Sequence, residues 1–450
     1  MFLDTGKRVL AELGGVYGML RRFIHKKFLQ DPTETHFSIP RATPDFFRRL
    51  PIFSGEIYHR LNPDLSRNVD PYWHVSSYGI FEGRPMFSVE GVQAALTAAE
   101  ARDGGRAPFR GVTGLSGVRF TVLVSSLGNF FMRELAERFA SDLHSAGADV
   151  ELADEKCGAR ALRGRTVVVV APHEFFLLGK GGRRWQQRLG QFEFYAFNTE
   201  QPQTQWFNQC FKYLLLAKGI VDLSPDSANM FRRSGLKSSA YLPAAESRGT
   251  AYAKFLPAEH PLLRGYPDLL QVERGHDIFA AQRPVDISFL GGPSARRERF
   301  FAESARLLSS RRCVIDYRKH LSAPILWSHE NRHEMGLGHF LARHSKIYLN
   351  VHREDFGFFE IHRMVMQGMA NGAAVVTDNC LSHPDFIAGT HYLQEELNKI
   401  PALLEWLLGS PEGQQRLRQV SLAGHQAYMQ KCSSDRTGDM LAQFFAANAA

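Results

Sequence analysis

At 450 residues the chain exceeds what one hydrophobic core usually serves, so two or three domains are expected. Apolar and charged fractions of 44% and 22%, with no uninterrupted apolar run as long as a bilayer span needs, exclude a membrane-spanning chain and fit a soluble or peripheral globular protein. An excess of 54 Lys+Arg over 46 Asp+Glu is mild, and without a helix-turn-helix or ribonucleoprotein signature it does not point to nucleic acid.

Cys157, Cys210, Cys313, Cys380 and Cys432 lie far apart, without CxxC or Cys/His spacing, so neither a structural zinc nor a disulfide framework is expected. The N-terminus lacks the pattern of a secretory signal, which places the chain in the cytoplasm.

Val9, Leu13, Val16, Leu20, Ile24 and Phe28 form an apolar helical stripe over residues 7–28, flanked by basic residues. Two readings stand: a helix packed on the body of the protein, favoured here, and a peripheral contact with an anionic membrane face. From Ile57 to Arg84, turn-forming residues punctuate short apolar pieces (Asn62-Pro63-Asp64, Asp70-Pro71, His74, Gly79, Glu82-Gly83-Arg84), which predicts a compact helical preface. A glycine-rich linker follows over 104–117, and then strands and helices alternate.

Strands are predicted at Val118–Val124, Thr166–Ala171, Phe194–Phe197, Ile220–Leu223 and Ser239–Leu242, with helices around Phe131–Leu143 and Phe207–Ala217. Val118–Val124 is a short β-branched run and Thr166–Ala171 an apolar run without polar alternation, as a parallel strand covered on both faces should be. After a connection rich in Pro and Gly, the alternation restarts with strands at Val285–Leu290, Cys313–Tyr317, Lys346–Val351 and Ala373–Thr377. Helices are expected at Ala295–Leu308, His339–His344 and Ile361–Ala370, then at Gln394–Leu408, Pro411–Gln430 and Arg436–Ala447. The fold class is therefore α/β, with two Rossmann-like domains behind a helical extension. The boundaries read 1–112 for the extension, 113–250 for the first Rossmann-like domain, 251–284 for the connection, 285–430 for the second domain and 431–450 for a last helix.

In open parallel sheets, ligands bind beyond the carboxyl ends of the strands. Gly291 and Gly292 end one strand and are followed by Arg296, a pattern that brings backbone and cation to a phosphate. Asn350, His352, Glu360, His362 and Arg363 put an imidazole, a guanidinium and a carboxylate within a short span, and Thr377-Asp378 gives another strand a polar tip. Arg318 and Lys319, just past a strand, are further candidates for a nucleotide. In the first domain His173 and Glu200 follow strands and are candidate general bases facing a cleft. No Asp-x-Asp pair, G-x-S-x-G elbow or GxxxxGK[ST] loop occurs, so metal-held diphosphate, serine hydrolase and P-loop chemistries are not expected.

The preface resembles a segment found ahead of the catalytic region in bacterial surface-polysaccharide and glycosyltransferase proteins. The segments "VDISFLGGPSARRERFF", "KIYLNVHRE", "FFEIHRMVMQGMANGAAVVTDN" and "LSHPDFIAGTHYL" are similar, in order and spacing, to the C-terminal domain of CgeB-like (spore-maturation type) glycosyltransferases, which have the two-Rossmann-domain GT-B fold. The resemblance covers about 286–430 and, more loosely, "FEFYAFNTEQPQTQWF" and "GIVDLSPDSANMFRRSG". It implies two domains facing across a cleft, with the last helix crossing back to the first domain. It further implies a nucleotide-diphosphate sugar bound by the second domain without a metal or other cofactor. The acceptor would be the hydroxyl of a glycan, a lipid-linked glycan or a protein. The register of paired glutamates in retaining relatives is not kept: Gln367 precedes the small-residue segment, with Glu354 and Glu360 out of step, which leaves inversion and retention both open. A nucleotide-sugar epimerase and a non-catalytic nucleotide-sugar or glycan-binding protein are the alternatives.

Overall fold

A computed structural model of the chain describes residues 38–100, 114–244, 255–271, 279, 283–317, 329–355, 359 and 361–448, with the side chains of 97–100, 329–335 and 362 aside. The basic amphipathic stretch 7–28, most of the glycine-rich linker, Arg318, Lys319, Glu360 and the side chain of His362 lie outside the described residues.

Six parallel strands form the first sheet: β1 (Arg119–Leu123), β2 (Asp149–Ala153), β3 (Thr166–Val170), β4 (Tyr195–Asn198), β5 (Ile220–Asp222) and β6 (Ser238–Ala240). Their order is β2-β1-β3-β4-β5-β6. Five more form the second: β7 (Val285–Gly291), β8 (Cys313–Tyr317), β9 (Ser345–Asn350), β10 (Ala374–Asp378) and β11 (Leu393–Glu395), ordered β11-β10-β9-β7-β8 and again all parallel. The chain thus folds as two Rossmann-like α/β units. Each sheet reverses its winding once, between β1 and β3 and between β7 and β9. Those two reversal points part the flanking loops and open a crevice at the carboxyl ends of the strands.

Local sequence explains the elements. β3, Thr-Val-Val-Val-Val, is buried along nearly its whole length, which suits β-branched residues covered on both faces. The helix Phe130–Ser145 starts where the Asn129 side chain accepts from Phe131 N and stops before Gly147, whose φ of 93° a side chain would resist. The edge strand β2 was not expected, because Asp149–Ala153 has no continuous apolar run. Gln394 and Glu395, predicted to open a helix, instead belong to β11, since backbone pairing with β10 outweighs their helix preference. The long predicted helix from Ala295 breaks at Ser304 into Ala295–Glu303 and Ala305–Ser309.

The preface packs on the first domain through Phe46, Phe47 and Phe87, which gather around Phe211. Its turn-rich residues are consumed in holding it together. Arg84 pairs with Asp64 and Glu82, Asn62 donates to Tyr58 O and Pro85 O, Asp70 caps the short helix Pro71–His74, and His74 meets the Tyr58 hydroxyl at 3.0 Å. The final helix, Ser434–Ala446, lies on the first sheet, where Phe445 meets Phe120 and Tyr195, and the Tyr195 hydroxyl donates to Asn448 O at 2.7 Å. Between the units, helix Pro411–Lys431 reaches the first domain through the Tyr428 hydroxyl on Pro243 O, and the Arg363 guanidinium sits over the Phe131 ring at 3.3 Å. No helix of the described residues is long and apolar enough to cross a membrane.

Candidate functional site

At the reversal point of the second sheet, β7 ends in Gly291 and leads through Gly292 to Ser294, whose hydroxyl accepts from Arg297 N and caps the helix Ala295–Glu303. A Cβ on Gly291 would come within 2.8 Å of both Arg297 Nη1 and Phe289 Cζ, so glycine is needed here for close packing. Arg297 fixes the loop by donating to Gly292 O and Val351 O at 2.8 Å each. Tyr317, at the end of β8, clamps Ser294 by accepting from its N–H and donating to its carbonyl.

Arg296 turns the other way. Its guanidinium pairs with the buried carboxylate of Asp378, donates to His352 O at 3.1 Å and reaches Asp355 at 3.2 Å. Asp378 also accepts from His352 N and faces His352 Nδ1, both at 3.0 Å. On the far side of the ring, Nε2 lies 3.2 Å from Asn350 Nδ2, which also donates to Thr377 Oγ1 at 3.1 Å. Burial pushes the His352 imidazole down to about 4, against the pull of the Asp378 charge, so it is neutral at pH 7. The bonding then assigns the proton to Nδ1 and leaves Nε2 to accept from Asn350.

The structure therefore brings Gly291, Gly292, Arg296, Asn350, His352, Thr377 and Asp378 together. Asn350, His352, Thr377 and Asp378 are all buried, however, and spend their polar atoms on one another and on Arg296. Only Arg296 extends from this network to a cavity of about 350 Å³, which Asp355, Asn379 and Glu396 also line. Gln93, from the preface helix Val89–Glu100, forms part of the wall. Asp355, Asn379 and Gln93 carry no signal in the sequence, because their approach depends on how separate segments pack. Arg363 is at the domain junction over Phe131 instead of in this network. Gln367, in the position of interest for retention, accepts from the Tyr348 hydroxyl at 2.8 Å, and Glu354 is exposed beside Arg353.

The first sheet presents a second cluster at its own reversal point. Ala171, which follows β3, has φ 47°, the one non-glycine residue with positive φ among those described. That turn feeds the helix Pro172–Leu177 and delivers His173 and Glu174. Glu174 accepts from Asn129 N at 2.9 Å and Glu155 accepts from Ser126 N at 2.7 Å, so two carboxylates hold the loop that follows β1. Glu200, past the end of β4, accepts from the Thr204 hydroxyl at 2.9 Å through Oε2, while Oε1 lies 3.6 Å from His173 Nε2. The backbone of Glu200 is tied back by Asn198 Nδ2, which also donates to Asp222.

Burial dominates the electrostatics of this cluster. It raises Glu200 to about 7, against the Thr204 hydrogen bond, and lowers His173 to about 3. Glu174 is raised to about 7 by burial and by the neighbouring Glu200 charge, with the Asn129 hydrogen bond opposing. Asp222 also rises to about 7 through burial, although Asn198 and Ser224 donate to it. A group near 7 can gain and lose protons at physiological pH, which general acid–base chemistry needs. Glu174 and Asp222 are spent on holding loops. Glu200 retains an oxygen, Oε1, with no hydrogen bond among the described residues, 3.6 Å from His173 Nε2.

Gln201 ties the loop of this cluster to the second unit. Gln201 Nε2 donates to Phe359 O at 2.9 Å, and Phe359 N donates to Gln201 Oε1 at 3.1 Å. This joins the loop after β4 directly to the segment after β9.

No protein-family model matches the chain, and no curated protein sequence does. Among solved structures it is similar to HepE from Anabaena in complex with UDP and glucose (10% identity, TM-score 0.46), over 73% of this chain and 99% of that one. It is also similar to a glycosyltransferase from Rickettsia africae (12% identity, TM-score 0.45), over 74% of this chain and 98% of that one. A sucrose-phosphate synthase from Thermosynechococcus elongatus matches at 12% identity and TM-score 0.43, over 73% of this chain and 100% of that one. Likeness this distant says nothing of chemistry, which rests on the side chains above.

Proposed function

We propose that the chain is a glycosyltransferase of CgeB-like type, moving a sugar from a nucleotide-diphosphate sugar to an acceptor hydroxyl without a metal. One observation carries this reading: Arg296 reaches a cavity at one sheet's reversal point, and a carboxyl group near neutral pKa lies at the other's, on a loop that Gln201 bonds directly to the second unit. The diphosphate would meet Arg296 and the amides that open helix Ala295–Glu303, with Gly292 in the loop before it and Gly291 packed against Arg297 and Phe289. Asn350, His352, Thr377 and Asp378 hold Arg296 and the strand tips in place. Glu360, His362 and Arg363 would help hold the donor, with Arg318 and Lys319 on the nucleotide.

In direct displacement Glu200 takes the acceptor's O–H proton, and the acceptor oxygen attacks the anomeric carbon. The bond from that carbon to the diphosphate oxygen breaks, and its electron pair leaves with the diphosphate beside Arg296. His173, neutral and buried, positions Glu200. Closure that excludes water protects the donor, since hydrolysis competes with transfer.

The test is calorimetry with a panel of UDP-, GDP- and dTDP-sugars, followed by mass detection of transfer. Binding of one donor, with turnover that persists in EDTA, is expected. A chain that binds none of them would sink the reading. Conversion of the donor sugar without any acceptor would mark an epimerase, and binding without turnover a carrier.

A further inference from the structure

We infer that the acceptor is a saccharide, and that Trp206 with the loop Thr199–Thr204 forms the platform on which its sugar ring lies. The inference rests on the transferase reading and adds the class of its second substrate. Trp206 is 41% exposed at the start of helix Gln205–Leu216, although an indole of this size normally fills a core. Its ring lies 5.5 Å from that of His173, whose Nε2 is 3.6 Å from Glu200 Oε1. His173 thus neighbours both the partly exposed indole and the carboxylate.

The surrounding side chains select the ligand. Asn198, Gln201 and Thr204 are spent on holding the loop, which leaves Thr199, Gln203 and Gln205 as the hydroxyl and amides suited to sugar hydroxyls. Thr199 Oγ1, Gln203 Oε1 and His173 Nδ1 are buried without hydrogen-bond partners among the described residues. Buried polar atoms left unpaired are costly, so this loop is not arranged for its own stability. A lipid chain would need a contiguous apolar groove, which these residues do not supply. A peptide adding as a strand finds no edge here, because β4 is paired on both sides, by β3 and β5. The apolar face of a pyranose would lie on the indole, with its hydroxyls toward Glu200, Thr199 and Gln203.

Saturation-transfer NMR on the full chain tests this with maltotriose, cellotriose and chitotriose, a polyprenyl phosphate and a Ser/Thr peptide as probes. Ring-proton contact with at least one trisaccharide is expected, reduced ten-fold or more in Trp206→Ala and kept in Trp206→Phe. Trisaccharide contact that persists in Trp206→Ala, or contact only with the lipid or the peptide, overturns the inference. Nucleotide-sugar binding by the wild-type chain, measured in parallel, separates the outcomes: if it is present while every trisaccharide fails, the platform falls and the transferase stands.

Discussion

The side-chain amide of Gln201 and the backbone of Phe359 exchange two hydrogen bonds, so a loop of the first sheet and a segment of the second are held as adjacent strands would be. Each such bond contributes about 0.5–1.5 kcal/mol net. Gln201→Ala should therefore speed hydrogen exchange at the Phe359 amide about ten-fold and lower turnover by loosening closure. Gln201→Glu should fall between the two, since a carboxylate can accept from Phe359 N but cannot donate to Phe359 O. Unchanged exchange in Gln201→Ala would show that packing, not this clasp, holds the junction.

Glu200 gives a pH signature. Burial raises it to about 7, and a general base works only when ionised, so kcat/KM should climb with pH, reach half its maximum near 7 and level off above. Glu200→Gln should lose about 10²- to 10⁴-fold and flatten the profile. Stability runs the opposite way. A carboxyl whose folded value exceeds its unfolded one supports the fold fully below about 4.5 and loses that support as pH rises through 7. Thermal melts should thus find Glu200→Gln matching wild type at pH 4 and exceeding it at pH 8.

Much of the fold was legible because strands such as Thr166–Val170 are buried on both faces and show it as unbroken β-branched runs. Two of the edge strands gave no such signal, since Asp149–Ala153 is half polar and Leu393–Glu395 is three residues long and forms only by pairing with β10, whereas the edge strand Cys313–Tyr317 was legible at its observed bounds. The polar strand tips Asn350, His352, Thr377 and Asp378 were also legible, but not their mutual saturation. That depends on a register which sets Asn350 opposite Thr377. Trp206, Gln201 and Gln93 gained meaning only when separate segments met in space.

Arg296 and Asp378 form a buried pair whose halves are unequal: Asp378 is 1% exposed, while Arg296 reaches the cavity. Removing one partner of such a pair strands the other and costs about 3–5 kcal/mol. Arg296→Ala should therefore lower the melting temperature sharply, and Arg296→Ala with Asp378→Asn should restore most of it, because the asparagine oxygen still accepts from His352 N. The double variant should nonetheless bind nucleotide-diphosphate sugars at least ten-fold more weakly in calorimetry, since a charge-assisted bond is worth about 1.5–3 kcal/mol. Wild-type affinity in the folded double variant would remove Arg296 from the donor site.

Ala171 holds a left-handed conformation, φ 47° and ψ 67°, between β3 and the helix that carries His173. An alanine there costs about 1–2 kcal/mol, because its Cβ crowds the following carbonyl. Glycine would relieve that crowding but adds freedom to the unfolded chain and removes a buried methyl, so Ala171→Gly should change stability by about 1 kcal/mol or less. Valine has no comparable compensation, since a β-branched side chain is an outlier in this region. Ala171→Val should either unfold the chain locally or push the backbone to negative φ, which turns His173 away from Glu200. Melting temperatures rank the variants. For a folded valine variant, a pH midpoint moved from that of wild type would confirm that the strained turn aims His173 at Glu200, and an unmoved midpoint would confine Ala171 to packing.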